Sequence, residues 1–277
     1  MKILIVGLGE VGSALYSIAC ENKNCSVYGY DIDPLKTVNS LDEIPKTIDY
    51  LHIAIPYTSM EKFINATKSY IDKFNPKTIF IHSTVAPGTT RKIYETLKIP
   101  IAYTPILGKH PNLKRHLLFW PKWITAIPKE KIEEAAKHLE ELGFKVRKCN
   151  CNPESLELAK IWETVYRAAM IASWQEIHRI ARKVNADIKV IAEFIGMVHE
   201  VLEDRPIYYP NVIGGHCLIP NTKILKTVYP SKLLEFIIES NEKRREEIKN
   251  QEIKNEIEEL KQIATKYFNK KYYEKAI

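Results

Sequence analysis

A glycine-rich turn near the amino terminus is the first part of this sequence that could do chemistry. Gly7, Gly9 and Gly12 are spaced as G-x-G-x-x-G, directly after an apolar run at residues 2–6. An acidic residue, Asp31, stands 19 positions beyond Gly12. In such a turn the glycines let the backbone approach a ligand closely, and the acid accepts hydrogen bonds from ribose hydroxyls. We therefore predict a binding site for a cofactor that carries adenosine.

Further contacts to this cofactor are expected in the same turn and where the next strands end. The turn opens a helix, whose first N–H groups are free to bind a ligand. A carboxylate at Asp31 would repel a 2′-phosphate, which disfavours NADP. The turn does not choose between S-adenosylmethionine and NAD, because both contain adenosine. Besides the three glycines and Asp31, the predicted contacts are Glu10, Val11, Ile32, Pro56, Ser83 and Thr84.

Short apolar runs alternate with helical patterns up to about residue 150. This alternation predicts an α/β fold, a Rossmann-type doubly wound parallel sheet followed by an all-helical C-terminal domain. We place the cofactor-binding domain at residues 1–152 and a helical dimerisation and substrate domain at residues 153–277. Residues 154–184 contain no Gly or Pro and predict one helix of about 45 Å. Because so long a helix needs a packing partner, we expect a homodimer through it.

Composition excludes several classes of partner. The net charge of +7 is spread among acidic residues, so a nucleic-acid partner is not expected. No apolar run is long enough for a membrane span, and the start does not resemble a signal peptide, which predicts a cytoplasmic protein. Cys149 and Cys151 lack metal-ligand spacing, so we expect ordinary thiols and no metal site. The richness in Lys, Ile, Glu and Tyr is typical of a thermophilic methanogen, an archaeon.

Three further stretches join the glycine turn in a recognisable combination. They are residues 83–90 (STVAPGTT), residues 157–164 (ELAKIWET) and residues 214–218 (GGHCL). With these stretches, residues 1–225 resemble the nucleotide-sugar dehydrogenase family, which includes the UDP-glucose and GDP-mannose dehydrogenases. Only about 50 residues follow, so we do not expect the third, nucleotide-binding domain of that family here.

The resemblance implies roles for several residues and also shows departures. Cys217 stands where the family has its nucleophile, and Lys160 matches a lysine of the long helix. However, Thr164 replaces an Asn, Asn221 replaces an Asp, and Ile106 replaces a catalytic Glu. Oxidation to an acid needs general bases, and each lost carboxylate costs about 10²–10⁴-fold in rate. The sequence therefore keeps the pattern of the fold but lacks the carboxylates that such an oxidation uses.

Methyl transfer from S-adenosylmethionine needs mainly proximity and orientation, so it suits such a site. In size and organisation the chain resembles the pyridinol methyltransferases of iron-guanylylpyridinol cofactor biosynthesis. This resemblance implies a methyltransferase that acts on a small hydroxylated heteroaromatic substrate. A basic loop at residues 109–115 is expected to hold the anionic groups of the substrate. The candidate catalytic residues are Lys160, Thr164 and Cys217, and the candidate substrate contacts are Pro105, Ile106, Lys109, His110 and His216.

Two alternatives stay open. The first is an NAD-dependent dehydrogenase of a nucleotide sugar or a small hydroxy acid, in which Lys160 would be the general acid. Small β-hydroxyacid dehydrogenases share this lysine and often have an Asn where Thr164 stands. The second is a binding protein that senses a nucleotide and catalyses nothing.

Overall fold

The structure, a computed structural model, describes residues 1–109 and 111–267. It divides into two compact units, one ending at Lys160 and the other beginning at Ile161. The predicted boundary after residue 152 marks the start of the long helix instead, and the division between units falls within that helix. His110, a candidate substrate contact, lies outside the described residues.

The first unit contains a seven-stranded sheet with the order β2-β1-β3-β4-β5-β6-β7. Its central strands are short apolar runs, buried throughout β4 and from Ile3 to Val6 in β1, as expected for strands that are covered on both faces. The α/β prediction is confirmed. The strands are β1 (Lys2–Val6), β2 (Ser26–Tyr30), β3 (Tyr50–Ile53), β4 (Thr78–Ile81), β5 (Ile101–Tyr103), β6 (Lys122–Ile127) and β7 (Val146–Lys148).

One strand departs from the predicted parallel sheet, because β6 pairs antiparallel with β5. A parallel neighbour needs a crossover that returns the chain to the edge where the previous strand began. The helix between these strands, α4 (Leu113–Phe119), has only seven residues and packs on α1 (Glu10–Ala19). The chain therefore re-enters the sheet close to the edge that it left.

Helices cover both faces of the sheet. Alternate residues of β1 supply the two cores, with Ile3 and Ile5 in one and Leu4 and Val6 in the other. The helix α1, the helix α4 and a later helix pack on the first face, and two helices together with Leu156 of a third pack on the second. The remaining helices of this unit are α2 (Met60–Phe74), α3 (Thr89–Leu97) and α5 (Ile132–Glu141). A 3₁₀ turn at Lys129–Lys131 precedes α5.

The second unit is helical, as predicted for the C-terminal part. No helix or strand lies between Leu202 and Leu218, and two helices cover residues 232–247 and 251–266. The helices are α6 (Pro153–Lys183), which begins in the first unit, α7 (Ile188–Leu202), α8 (Leu218–Val228), α9 (Lys232–Glu247) and α10 (Gln251–Lys266).

A row of buried basic side chains crosses the core of the first unit. The ring nitrogens of His52 lie 2.9 Å from His82 on one side and 2.9 Å from His138 on the other. Lys122 Nζ lies 3.3 Å from the second nitrogen of His82. Burial lowers the pKa of Lys122 to about 7 and that of His138 to about 3. Burial also holds the pKa values of His52 and His82 well below their usual range, so these rings are neutral in the folded protein.

The side-chain nitrogens of this row do not converge on a common point, since His52 uses its two nitrogens in opposite directions. Across residues 1–109 and 111–267, no three His, Cys, Asp or Glu side chains are arranged to hold a metal ion. The row is therefore a hydrogen-bonded part of the core, whose protonation state is coupled to folding.

A second buried polar group, the carboxylate of Glu157, accepts hydrogen bonds from the start of α3. Glu157, from the first turns of α6, is fully buried. One carboxylate oxygen accepts the N–H of Gly88 at 2.6 Å, and the other accepts the N–H and the hydroxyl of Thr90 at 2.8 and 2.6 Å. Burial raises the pKa of Glu157, although these three donors act in the opposite direction. The carboxylate thus satisfies N–H groups that have no partner within α3.

We expect the protein to lose stability in mild acid. Unfolded histidines bind protons below about pH 6.5, whereas the buried rings of the folded state do not. The free energy of unfolding should therefore fall as the pH drops from about 7 to 5, by up to about 1.4 kcal/mol per pH unit for each histidine. Lys122 lowers the free energy of unfolding with a similar slope as the pH falls from about 10.5 to 7, because its amine binds a proton in the unfolded chain and not in the folded protein. Urea unfolding at a series of pH values measures this slope.

The variant His138→Leu should reduce the slope below pH 6.5, because one buried ring is removed. The exposed His216 provides the control, since His216→Gln should leave the slope unchanged. A free energy of unfolding that stays constant from pH 7 to 5 would contradict the neutral row.

We also expect Glu157→Ala to lower the free energy of unfolding by about 2–4 kcal/mol, because it leaves buried donors at the start of α3 without partners. Glu154→Ala is the matched control, three residues earlier in the same helix. Glu154 pairs with the exposed Arg91, and such surface pairs contribute about 1 kcal/mol or less. Equal losses in urea unfolding of the two variants would show that Glu157 is not the specific support of α3.

Candidate functional site

The glycine turn has the backbone that its sequence predicts. Gly7 has a φ of +87°, a conformation that favours glycine, and its N–H donates to the carbonyl of Tyr30 at 2.9 Å. A Cβ atom on Gly12 would lie 1.8 Å from the carbonyl oxygen of Gly7. A Cβ atom on Gly9 would meet nothing within 4 Å, and no side chain caps α1 there. Gly7 and Gly12 are thus needed for the turn itself, while Gly9 leaves open space in front of the helix.

Asp31 follows β2 and is tied to this turn. One oxygen of its carboxylate accepts the N–H of Leu8 at 2.6 Å, and the other accepts the N–H of Asp33 at 2.8 Å. Each carboxylate oxygen can accept a second hydrogen bond, so the group can still bind hydroxyls. Ile32 and Leu35 beside it are 83% and 95% exposed, which offers apolar surface next to the carboxylate.

The other predicted cofactor contacts lie at the same edge of the sheet. β1 to β4 are all parallel, so their carboxyl ends meet there. Pro56 follows β3, and Ser83 and Thr84 follow β4, where the Ser83 hydroxyl donates to the carbonyl of Ile55 at 2.6 Å. The strand order reverses next to β1, and open α/β sheets bind ligands at such a point.

The predicted substrate contacts after β5 differ in their exposure, since Pro105 and Ile106 are buried whereas Lys109 is exposed. Ile106 is only 7% exposed and packs in the core of the α1 face, so its side chain faces the core. The N–H of Lys109 donates to a ring nitrogen of His116 at 3.0 Å. Lys114, expected in a basic loop, belongs to α4 instead, where its ammonium donates to Ser17 at 2.8 Å and pairs with Glu21. The basic loop proposed as an anion clamp is thus partly a helix that packs on α1.

A second cluster of predicted residues lies in the helical unit. Asn221 and Thr164 are buried, and the Asn221 side-chain amide donates to the Thr164 hydroxyl at 2.9 Å. That hydroxyl donates in turn to the carbonyl of Ile161 at 2.8 Å. Cys217 is exposed at the start of α8, one turn before Asn221, whose N–H donates to the Cys217 carbonyl at 2.8 Å. The structure thus places Cys217 one helical turn before Asn221, which belongs to the Thr164–Asn221 pair.

This arrangement limits the chemistry of the cluster. Neither Thr164 nor Asn221 can take up a proton near neutral pH, so the pair cannot be a general base. The Cys217 thiol is free and exposed, and His216 beside it is also exposed. Lys160 stands one turn before Thr164 in α6. Within the helical unit, Cys217 therefore offers a nucleophile, and the Thr164–Asn221 pair beside it supplies no carboxylate.

The hydrogen bond between Thr164 and Asn221 was missed by sequence reasoning, although a signal existed. Both residues depart from the family that the sequence resembles, and two departures that occur together indicate contact. Glu157 was also missed as a structural residue, although it opens one resembling stretch and binds the end of another, at Gly88 and Thr90.

The expectation of free thiols at Cys149 and Cys151 was wrong. The two residues form a disulfide between β7 and α6. The two cysteines lack metal-ligand spacing, which led us to interpret them as ordinary thiols, but a turn in the backbone brings their Cα atoms to 5.1 Å.

Comparison with known proteins finds similarity to nucleotide-sugar dehydrogenases. Residues 154–243 match the UDP-glucose/GDP-mannose dehydrogenase family, central domain. The chain is 29% identical over 165 residues to UDP-N-acetyl-D-mannosamine dehydrogenase of Methanocaldococcus jannaschii, covering 58% of this chain and 37% of that protein. It is 25% identical over 297 aligned positions to UDP-glucose 6-dehydrogenase of Campylobacter jejuni, covering 88% of this chain and 73% of that protein.

The fold agrees with these sequence matches. The structure of UDP-D-ManNAc dehydrogenase from Pyrococcus horikoshii superposes with a TM-score of 0.74 at 19% identity, covering 88% of this chain and 69% of the other. The chain thus has a Rossmann fold of the UDP-glucose/GDP-mannose dehydrogenase type. It spans 37% of the length of the Methanocaldococcus relative, so the activity of that whole protein does not transfer by alignment alone.

The prediction of a methyltransferase was wrong. The matched family and relatives are dehydrogenases, and none of these matches supports S-adenosylmethionine, pyridinol methylation or a role in cofactor biosynthesis. The error has a physical origin, since the glycine turn and Asp31 recognise adenosine, which both cofactors contain. The missing carboxylates at Ile106 and Asn221 were then given more weight than the resemblance of the helix around Lys160 to the nucleotide-sugar dehydrogenases. In the described chain, no helix is both long and apolar enough to cross a membrane.

Proposed function

We propose that this chain is an NAD-dependent oxidoreductase that acts on a nucleotide sugar. The observation that carries this proposal is the match of residues 154–243 to the central domain of the nucleotide-sugar dehydrogenases. That range includes Lys160, Thr164 and Cys217. The glycine turn with Asp31 supports the nucleotide part of the proposal independently, since it lies outside the matched range.

The residues at the edge of the sheet fit NAD. Open space in front of Gly9 and the uncapped start of α1 suit a pyrophosphate, which favours a helix N-terminus. The remaining lone pairs of Asp31 suit two ribose hydroxyls, and its charge disfavours a 2′-phosphate. The exposed side chain of Ile32 suits an adenine ring. When it is bound, NAD supplies the hydride acceptor for the oxidation of an alcohol.

Cys217 is the residue that we propose to hold the substrate covalently. Its exposed thiol, as a thiolate, can add to the aldehyde carbon of a half-oxidised substrate, and the resulting thiohemiacetal becomes a thioester when it loses a hydride, which NAD would accept. Attack by water then releases a carboxylate and the free thiol. The ammonium of Lys160 can stabilise an oxyanion that forms on the substrate.

The residues that differ from the nucleotide-sugar dehydrogenases indicate which step of the reaction we expect to be slow. Water attack on a thioester is assisted by a general base, and the buried Thr164–Asn221 pair cannot supply one. Ile106 packs in the core and supplies none either. We therefore propose that thioester hydrolysis limits the turnover of this protein.

The homodimer through residues 154–184 stays a prediction. Leu158, Trp162 and Tyr166 follow one another at a spacing of four along α6, and each is between 43% and 55% exposed. Such a stripe on one face of a long helix is consistent with helix packing between two copies.

We expect Asp31→Ala to weaken NAD binding by about 10–100-fold, because two hydrogen bonds to ribose are lost. Isothermal titration calorimetry measures the affinity. Asp33→Ala is the matched control, since Asp33 contacts Asp31 through its backbone N–H and its side chain pairs with the exposed Lys36. Asp31 also accepts the N–H of Leu8, so circular dichroism should confirm that the variant is folded. Unchanged affinity in folded Asp31→Ala would disprove the nucleotide site.

We expect Asn221→Asp to raise steady-state turnover by about 10²-fold, because it restores a carboxylate near Cys217. Cys217→Ala should abolish the formation of the acid, and Cys20→Ala should leave it unchanged, since Cys20 is exposed in the other unit. The assay follows NADH formation with UDP-glucose and UDP-N-acetylmannosamine. If NAD binds but no nucleotide sugar yields NADH with either wild type or Asn221→Asp, the proposed reaction is wrong.

A further inference from the structure

The connection between β7 and α6 carries a disulfide that closes a very short loop. Cys149 and Cys151 are bonded, with one residue, Asn150, between them. A disulfide stabilises a fold mainly by restricting the unfolded chain, and this effect grows with the length of the closed loop. With so short a loop, the bond restricts the unfolded chain very little. Its contribution to folding is therefore small, and another role has to explain the pair.

The sheet holds the two cysteines together without help from the sulfur atoms. The N–H of Cys149 donates to the carbonyl of Ile124 at 2.8 Å. The hydroxyl of Thr125 donates to the carbonyl of Cys151 at 2.7 Å. Ile124 and Thr125 are buried neighbours in β6. Because these bonds remain when the disulfide opens, the two thiols stay close and the disulfide can close again readily.

The two sulfur positions differ in their surroundings. Both residues are half-buried, and Cys151 packs against the core on the α2 face of the sheet. Cys151 also stands two residues before Pro153, where the 31-residue helix α6 begins. The positive end of a helix stabilises a nearby thiolate. Cys151 is thus the better leaving group of the pair, and Cys149 is the better target for attack.

We propose that Cys149 and Cys151 form a redox-active dithiol–disulfide pair that exchanges with low-molecular-weight thiols. In the opening reaction, an external thiolate attacks the sulfur of Cys149, the bond between the two cysteines breaks, and Cys151 leaves as a thiolate. A second external thiol then attacks the mixed disulfide and releases Cys149. The protein disulfide gains two electrons and two protons, while two thiols become one small disulfide. Closing is the reverse reaction, with the small disulfide as oxidant.

This site is separate from the proposed oxidation of a nucleotide sugar. Cys20, Cys25 and Cys217 are free thiols, and Cys217 is the cysteine proposed for substrate. A variant with all three replaced by Ser leaves the dithiol pair alone. The redox test can therefore succeed or fail whatever the outcome of the test with nucleotide sugars.

The test incubates this triple variant, folded, in buffers that contain reduced and oxidised glutathione in different ratios. Iodoacetamide then blocks the thiols, and intact mass spectrometry counts the blocked groups. We expect two blocked groups at the reducing end, none at the oxidising end, and full reversal between them while the circular dichroism spectrum stays constant. If the disulfide opens only after denaturant is added, or never forms in excess oxidised glutathione, the proposal is overturned.

The matched single variants test the direction of attack. In the same background, Cys151→Ser should accumulate a glutathione adduct on Cys149 about tenfold above the level in the intact pair, because the resolving thiol is missing. Cys149→Ser should accumulate less adduct, since Cys151 is more closely packed. An adduct that forms more readily on Cys151 would overturn the assigned order.

Discussion

The close approach of α1 to the end of β1 is the constraint on which the nucleotide site depends. A Cβ atom at Gly12 would lie 1.8 Å from the carbonyl of Gly7, so the helix reaches this position only with glycine there. The same turn directs the N–H of Leu8 to the carboxylate of Asp31, which joins the ends of β1 and β2. A helix N-terminus, an acidic group and open space before Gly9 are thereby brought to one edge of the sheet. The proposed NAD site follows from this packing.

A stretch of sequence shared with an enzyme family can have a structural reason. Glu157 and the segment at Gly88 and Thr90 both belong to the resemblance with nucleotide-sugar dehydrogenases, and the structure joins them through a buried carboxylate. Burying a carboxylate is costly unless its hydrogen bonds are satisfied, and here three donors satisfy it. Such residues keep the fold recognisable even where the chemistry of the site has changed.

The helical unit shows what that change involves. Thr164 and Asn221 differ from the family together, and they bind each other in a neutral pair that is closed to proton transfer. The nearby Cys217 remains exposed. The sequence led us first to a methyltransferase because a site without carboxylates suits methyl transfer. The matched proteins are dehydrogenases, which favours instead the oxidoreductase that we propose.

Local spacing in the sequence determined the glycine turn, the acid at Asp31, the alternation of strands and helices and most of their bounds. These features depend on residues that lie within about a turn, a strand or one βα unit of each other. Only the tertiary structure decided the antiparallel β6, the row of histidines around His52, the disulfide of Cys149 and the Thr164–Asn221 pair. Most of these join residues that are far apart in the sequence, and the disulfide depends on a backbone turn set by β6. The hydrophobic periodicity of the sequence does not predict such contacts, because they arise from the packing of whole helices and strands against one another.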